Sequence, residues 1–163
     1  MKKYFGIIAC VFCLTLWVGC EDDSDNTSDY TSVLPAFSDI TFDTDQLYAG
    51  MTVTATAVQS KKGKLLNRTT YDWYVNDTTT QHVGIVYDQN NGDPIFTFKV
   101  PAVSITRPTS ITIKFTGKYS VSGSSCKAAA TEHAAGLTIV SAPSTIEGTV
   151  RLTKTVTVYP SEN

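Results

Sequence analysis

Apolar side chains recur at every second position through most of the chain. Met51, Val53, Ala55 and Ala57 alternate with Thr52, Thr54 and Thr56, the period-two signature of a strand with one face buried. Lys61-Lys62-Gly63-Lys64 turns the chain. Tyr71, Trp73 and Val75 then alternate with Asp72, Tyr74 and Asn76, and the run stops where Asp77 begins a polar loop. Val83, Ile85 and Tyr87 form the next run, and Phe96, Phe98 and Val100 follow after Asn90-Asn91-Gly92-Asp93-Pro94. Asn-Gly between two apolar runs predicts a hairpin, because both residues tolerate positive φ. Ile111, Ile113 and Phe115, then Tyr119 and Val121, make a long run with Gly117 at its middle, where a bulge or bend is expected. Val150, Leu152, Val156 and Val158 share one phase that Lys154 interrupts. Near the start, Phe37, Asp39 and Thr41 alternate with Ser38, Ile40 and Phe42 without a clean phase, and read as an edge strand. About seven strands with turn chemistry between them, and no sustained helical period, predict an all-β antiparallel sandwich. Its expected core contains Val53, Trp73, Val75, Phe96, Phe98, Ile113, Phe115, Val156 and Val158.

Residues 123–148 fit this pattern least. Ala128 to Ala135 has the composition for two helical turns, a length that is marginal in water without packing. Leu137, Ile139 and Val140 add a short strand before Pro143. The segment reads as an insertion and a place where a specific site would lie.

The first nineteen residues stand apart. Lys2 and Lys3 precede the stretch Tyr4 to Val18, broken only by Gly6 and Thr15 and free of charge. It is too short to span a bilayer comfortably and fits the apolar region of a secretory signal. Residues 20–32 follow, with four acids in Glu21-Asp22-Asp23-Ser24-Asp25 and a polar run behind them, a composition that builds no core and reads as a disordered tether. The globular part is placed at 33–160.

Leu16-Trp17-Val18-Gly19-Cys20 resembles the lipobox of bacterial lipoprotein signal peptides, with Trp17 departing from the aliphatic residue usual there. The resemblance implies cleavage before Cys20 and lipidation of its thiol, which anchors the chain to a membrane. Acids directly after such a cysteine resemble the surface-export signal of Bacteroidota lipoproteins, implying an outer-membrane protein exposed to the medium. Tyr71-Asp72-Trp73-Tyr74-Val75 looks like the tryptophan-bearing strand of an Ig-like sandwich, and Gly117-Lys118-Tyr119-Ser120-Val121 resembles a strand of PKD-type modules. The chain lacks the Phe-Gly-Asp-Gly expected after the PKD tryptophan and the paired cysteines of antibody-like domains. An Ig-like architecture is therefore implied, and no ligand with it.

Composition narrows the chemistry. Thr and Ser make up 39 of the 163 residues, which suits pleated surfaces. A net charge of −2 argues against nucleic acid as a partner, which calls for a concentrated basic face. With Cys10 and Cys13 in the signal and Cys20 lipidated, Cys126 is the remaining thiol. Cys126 and His133 form a nucleophile–base pair only if the loop folds them together, and His82 has no spaced partner for zinc. Asp88 to Asp93 carries the acids of a calcium loop, but a hairpin turn explains it, and Asp43-Thr44-Asp45 falls short of the six or more converging oxygens a calcium ion needs. No cofactor, metal or catalytic residue is expected. The reading is a non-enzymatic surface lipoprotein whose module binds a glycan or protein partner, or acts as a spacer. Alternatives are a fimbrial or adhesin-type subunit, or a hydrolase using Cys126 and His133. Tyr74, out of phase with the core, is the expected ligand contact, with Tyr48 or Tyr87 as second aromatic. Asp77-Thr78-Thr79 resembles an acceptor motif of exported Bacteroidota proteins, implying an O-glycan on Thr78.

Overall fold

The computed structural model describes residues 30–86, 92–102, 106–129 and 134–161, without the side chains of 79, 80 and 82–86. Residues 1–29, Cys20 among them, Tyr87, Asp88 to Asn91 and His133 lie outside the described residues. Among those described, the chain is all-β and holds no helix. Its strands are β1 (Thr31–Val33), β2 (Ala36–Phe42), β3 (Leu47–Tyr48), β4 (Thr52–Lys61), β5 (Leu66–Val75), β6 (Thr78–Val86), β7 (Ile95–Lys99), β8 (Thr109–Val121), β9 (Ser125–Lys127), β10 (Leu137–Pro143) and β11 (Glu147–Tyr159). That is more than the seven the alternation suggested, because β1, β3 and β9 are too short to show a period and β10 lies in the supposed insertion.

The larger sheet has the order β10-β11-β8-β5-β6, with β3 added in parallel to the end of β11, and the smaller has the order β2-β4-β7. Their inner faces pack on each other through aromatic rings. Trp73 on β5 stacks on Phe96 of β7 at 5.4 Å, and Phe115 on β8 meets Phe37 of β2 at 5.3 Å and Trp73 at 4.9 Å. Val53, Trp73, Val75, Phe96, Phe98, Ile113, Phe115 and Val158 are buried as expected, whereas Val156 is only half-buried. β1 and β9 pair in parallel as a separate two-stranded sheet, Thr31 opposite Ser125 and Val33 opposite Lys127.

Four local expectations are corrected. The Asn91-Gly92 signal does not join paired strands, since β6 pairs with β5 and β7 with β4 in the other sheet. Turn chemistry marks a reversal without specifying that its flanks bond to each other. Gly117 marks no bulge, for it pairs with Val150 on one side and Tyr71 on the other in unbroken register. It is small for another reason: an added Cβ would lie 2.5 Å from the Tyr119 hydroxyl, because that ring folds back over it. Asp77 begins no loop. Asn76 (φ 48°) and Asp77 (φ 64°) form a two-residue turn, and β6 starts at Thr78. The described flanks of the alanine-rich segment, Ala128-Ala129 and Ala134 to Gly136, are irregular or turn rather than helical.

Two irregularities have structural causes. The missing phase around Phe37 reflects register shifts between Ala36 and Phe37 and between Phe37 and Asp39, since each bulge changes which face the next side chain takes. Lys154 keeps the inward phase of β11. Its ammonium crosses to the other sheet and donates to Asp39 Oδ1 (2.7 Å) and the Ile40 carbonyl (2.6 Å), 6.0 Å from the Phe42 ring.

Strand directions define two poles. The chain reaches the domain at Tyr30 at a basal pole, together with β1, β9, the β4–β5 connection and the β10–β11 turn. The far pole holds the β5–β6 turn, β3, the β3–β4 turn and the end of β11.

Candidate functional site at the far pole

Tyr74 does leave the core face of β5, but it is half-buried, with Lys114 beside it in register on β8. The Lys114 ammonium forms an ion pair with Asp77 of the adjoining turn. Next to Tyr74, Asp72 is buried on the same outer face, its carboxylate 3.1 Å from Lys118 Nζ. This face is otherwise built of threonine, with Thr112, Thr116, Thr149 and Thr153 alternating with these charges. It presents a salt-bridged surface rather than an aromatic platform.

Tyr48 sits elsewhere. It lies on β3 opposite Tyr159, and the register separates it from Tyr74 by roughly 20 Å along the strands at 3.3 Å per residue. The structure instead brings Tyr48 against Tyr159, their centroids 6.0 Å apart and their planes tilted by 46°. Tyr159 is 36% exposed and Tyr48 half-buried. The Tyr48 hydroxyl donates to Gln46 Oε1 at 2.7 Å, and the Ala49 amide donates to the Tyr159 carbonyl at 2.9 Å. Two rings are thus fixed by the parallel pairing of a two-residue strand with the end of a long one. Sequence reasoning missed Tyr159 because it follows Val158 at the very end of its run, where alternation no longer says which side chain faces what.

Across the Ala49-Gly50 turn lies a cleft of about 500 Å³ lined by Val75, Asn76, Thr78, Phe96, Phe98 and Pro101, among others. The Gly50 amide ties the two features together by donating to the Val100 carbonyl at 3.0 Å. Phe96 and Phe98 are stacked at 5.1 Å and give the cleft an apolar floor. Thr78 stands exposed at its rim, at the first position of β6.

The remaining candidates gain less. Cys126 is half-buried on β9, and burial raises its thiol pKa, opposite to the shift that activates a nucleophile. Its proposed base, His133, lies outside the described residues. His82 stands opposite Asp72 in the β5–β6 register. Asp43 accepts the Thr54 amide at 2.9 Å, a turn-stabilising role. Among the described residues no group of three His, Cys, Asp or Glu converges as a metal site. No family model, curated protein or solved structure matches the chain.

Proposed function

We propose that the protein is a lipid-anchored, non-enzymatic module of the cell surface, in which an Ig-like sandwich presents a binding pole away from the membrane. The Ig-like reading is supported by strand order. With β2, β4 and β7 taken as strands A, B and E, the facing sheet runs G, F, C and C′ as β11, β8, β5 and β6, and Trp73 falls on strand C. The observation that carries the functional reading is the Tyr48–Tyr159 pair, partly exposed at the pole opposite Tyr30. A strand as long as β8, thirteen residues, holds the two poles roughly 40 Å apart.

Such a pair suits the apolar face of a sugar ring or a partner's flat surface, because tyrosines lose little entropy when covered and offer a polar tip. Gln46, Thr44 and Asp45 stand in the same loop and supply polar groups at its edge. The contact proposed here is thus Tyr48 with Tyr159, in place of Tyr48 with Tyr74. Tyr159→Ala, which truncates a side chain at the rim, is expected to weaken binding to a panel of soluble glycans and cell-surface extracts about tenfold or more without unfolding the domain. Equal binding by the variant removes the pair from the site, and no binding by either protein favours a spacer. The anchor is tested by fatty-acid labelling: Cys20→Ala should abolish incorporation and leave unprocessed precursor. Thr78 is the proposed O-glycan acceptor, and an intact mass without added sugar removes that assignment.

A further inference from the structure

The basal pole is strongly basic. β1 lies between Lys127 of β9 and the bridge residue Lys64, and Lys61 pairs with Ala36 at the start of β2. With Lys62 in the same connection, four lysines surround the place where the chain joins the domain, all of them exposed. Arg68 stands nearby at the start of β5 and is also exposed. The described acids at this end are Asp93, whose carboxylate caps the Gln59 amide at 2.8 Å, and Glu147 at the start of β11. The far pole has no such excess: Asp43, Asp45 and Asp77 stand there with Lys99, Arg107 and Lys114, the last in an ion pair with Asp77.

The junction is also fixed in place. The Ser124 amide donates to the Tyr30 carbonyl at 2.8 Å, and the Gly123 amide to Ser32 Oγ at 2.9 Å. Ser32 Oγ in turn donates to the carbonyl of Leu65 at 2.8 Å, and Leu65 is held at a φ of 55°. An added Cβ on Gly123 would collide with the Tyr30 carbonyl, so the chain must pass close against this loop. The lysines therefore stand at a set position around the point where the N-terminal segment enters the domain.

We propose that this lysine-bearing pole is a docking surface for an anionic lipid bilayer, seating the domain upright with its far pole outward. The proposal rests on the anchored reading above. Nine residues separate Cys20 from Tyr30, a length whose root-mean-square span as a free coil is about 17 Å, so an anchored domain stays within reach of the headgroups. At that range the attraction of each lysine to an anionic leaflet is large once the pole comes within a Debye length of about 8–10 Å. The acids Glu21, Asp22, Asp23 and Asp25 compete for the same lysines, and the test separates them from the bilayer.

The full chain is reconstituted into vesicles of phosphatidylcholine alone or mixed with phosphatidylglycerol, and lysines are acetylated and quantified by peptide mass spectrometry. Lys61, Lys62 and Lys127 should react about fivefold more slowly in the anionic vesicles, relative to Lys99 at the far pole. High salt should remove the difference. Equal reactivity in both vesicle types overturns the proposal. Protection that is equal in both, and persists in detergent, assigns the lysines to the chain's own acidic segment and also overturns it. A variant with Lys61→Gln, Lys62→Gln and Lys127→Gln changes only exposed side chains and should lose its preference for anionic over neutral vesicles by roughly fivefold per lysine. An unchanged preference counts against the surface. The mass of the Cys20 peptide scores the anchor separately. A lipidated chain with unprotected lysines removes only this proposal, whereas an unlipidated chain whose lysines are protected in anionic vesicles keeps the surface and loses the anchor.

Discussion

Trp73 touches both sheets, stacked on Phe96 and tilted against Phe115, and is fully buried. Removing such a ring leaves a cavity that the neighbouring rings cannot fill, so Trp73→Ala is expected to cost about 3–5 kcal/mol in a denaturant titration, a large share of the stability of a small domain. Tyr119 poses a different problem. Burial pushes its hydroxyl well above the ordinary tyrosine value of 10.0, and Tyr71 beside it raises it further. Unfolded, the group ionises near pH 10, so above that pH the unfolded state has released a proton that the folded state retains. Stability is then insensitive to this group below pH 10 and declines above it, by about 1.4 kcal/mol per pH unit until the folded group ionises. Tyr119→Phe keeps the ring over Gly117 and removes the proton, so its urea midpoint should fall less steeply than wild type through the alkaline range; identical slopes mean that the alkaline loss arises elsewhere. Trp73 was legible in the sequence as the centre of an alternating run. The relation of Tyr119 to Gly117 was not, because a glycine in a strand signals close approach without saying what approaches.

Elements whose sequence alternates cleanly, β4, β5, β7 and β8, are those whose faces the pattern assigned correctly. Those assigned wrongly or missed depend on contacts that local pattern does not contain. Lys154 looked like a break in β11, yet the strand continues through it because Asp39 and the Ile40 carbonyl of the opposite sheet receive its ammonium. Asn76 and Asp77 looked like the start of a loop, although each tolerates the left-handed region that a two-residue hairpin demands. Asn76 also ties the hairpin to β8: its side-chain oxygen accepts the Thr112 amide at 3.0 Å and its own amide donates to the Thr112 carbonyl at 2.9 Å. Asn76→Ala is expected to lose about 2 kcal/mol, combining positive-φ strain with a lost hydrogen bond. Asn76→Gly relieves the strain and loses only the bond, so its denaturation midpoint should lie between alanine and wild type. If the two variants are equally unstable, strain is absent and the side-chain bond carries the whole effect.

For the molecule as a whole, pairing is unequal across the fold, and stability should follow it. β8 is bonded along its length to β11 on one side and β5 on the other, with its inner face under the aromatic core. Among the described residues, β10, β6 and β7 each have one bonded neighbour, and β1 and β9 pair with each other, with further backbone bonds between Val33 and Lys64 and from Leu34 to Lys127. The β1–β9 pair joins residues about ninety positions apart, which is why no reading of consecutive residues could find it and why the segment holding β9 looked like an insertion. Native-state hydrogen exchange should therefore resolve three classes. Amides of β8 and the facing parts of β5 and β11 should exchange only through global unfolding. Those of β10 and β7 should open at lower free energy, and those of β9 and β1 lower still. Because Lys127 lies on β9 and Lys64 bridges to Val33 of β1, while Lys61 ends β4, part of the basal pole rides on that last class, and anything that covers the pole should slow exchange there first. Peptides from β9 that exchange as slowly as those from β8 would show instead that the chain's junction with the sandwich is part of its global cooperative unit, with the basal lysines fixed as firmly as the core.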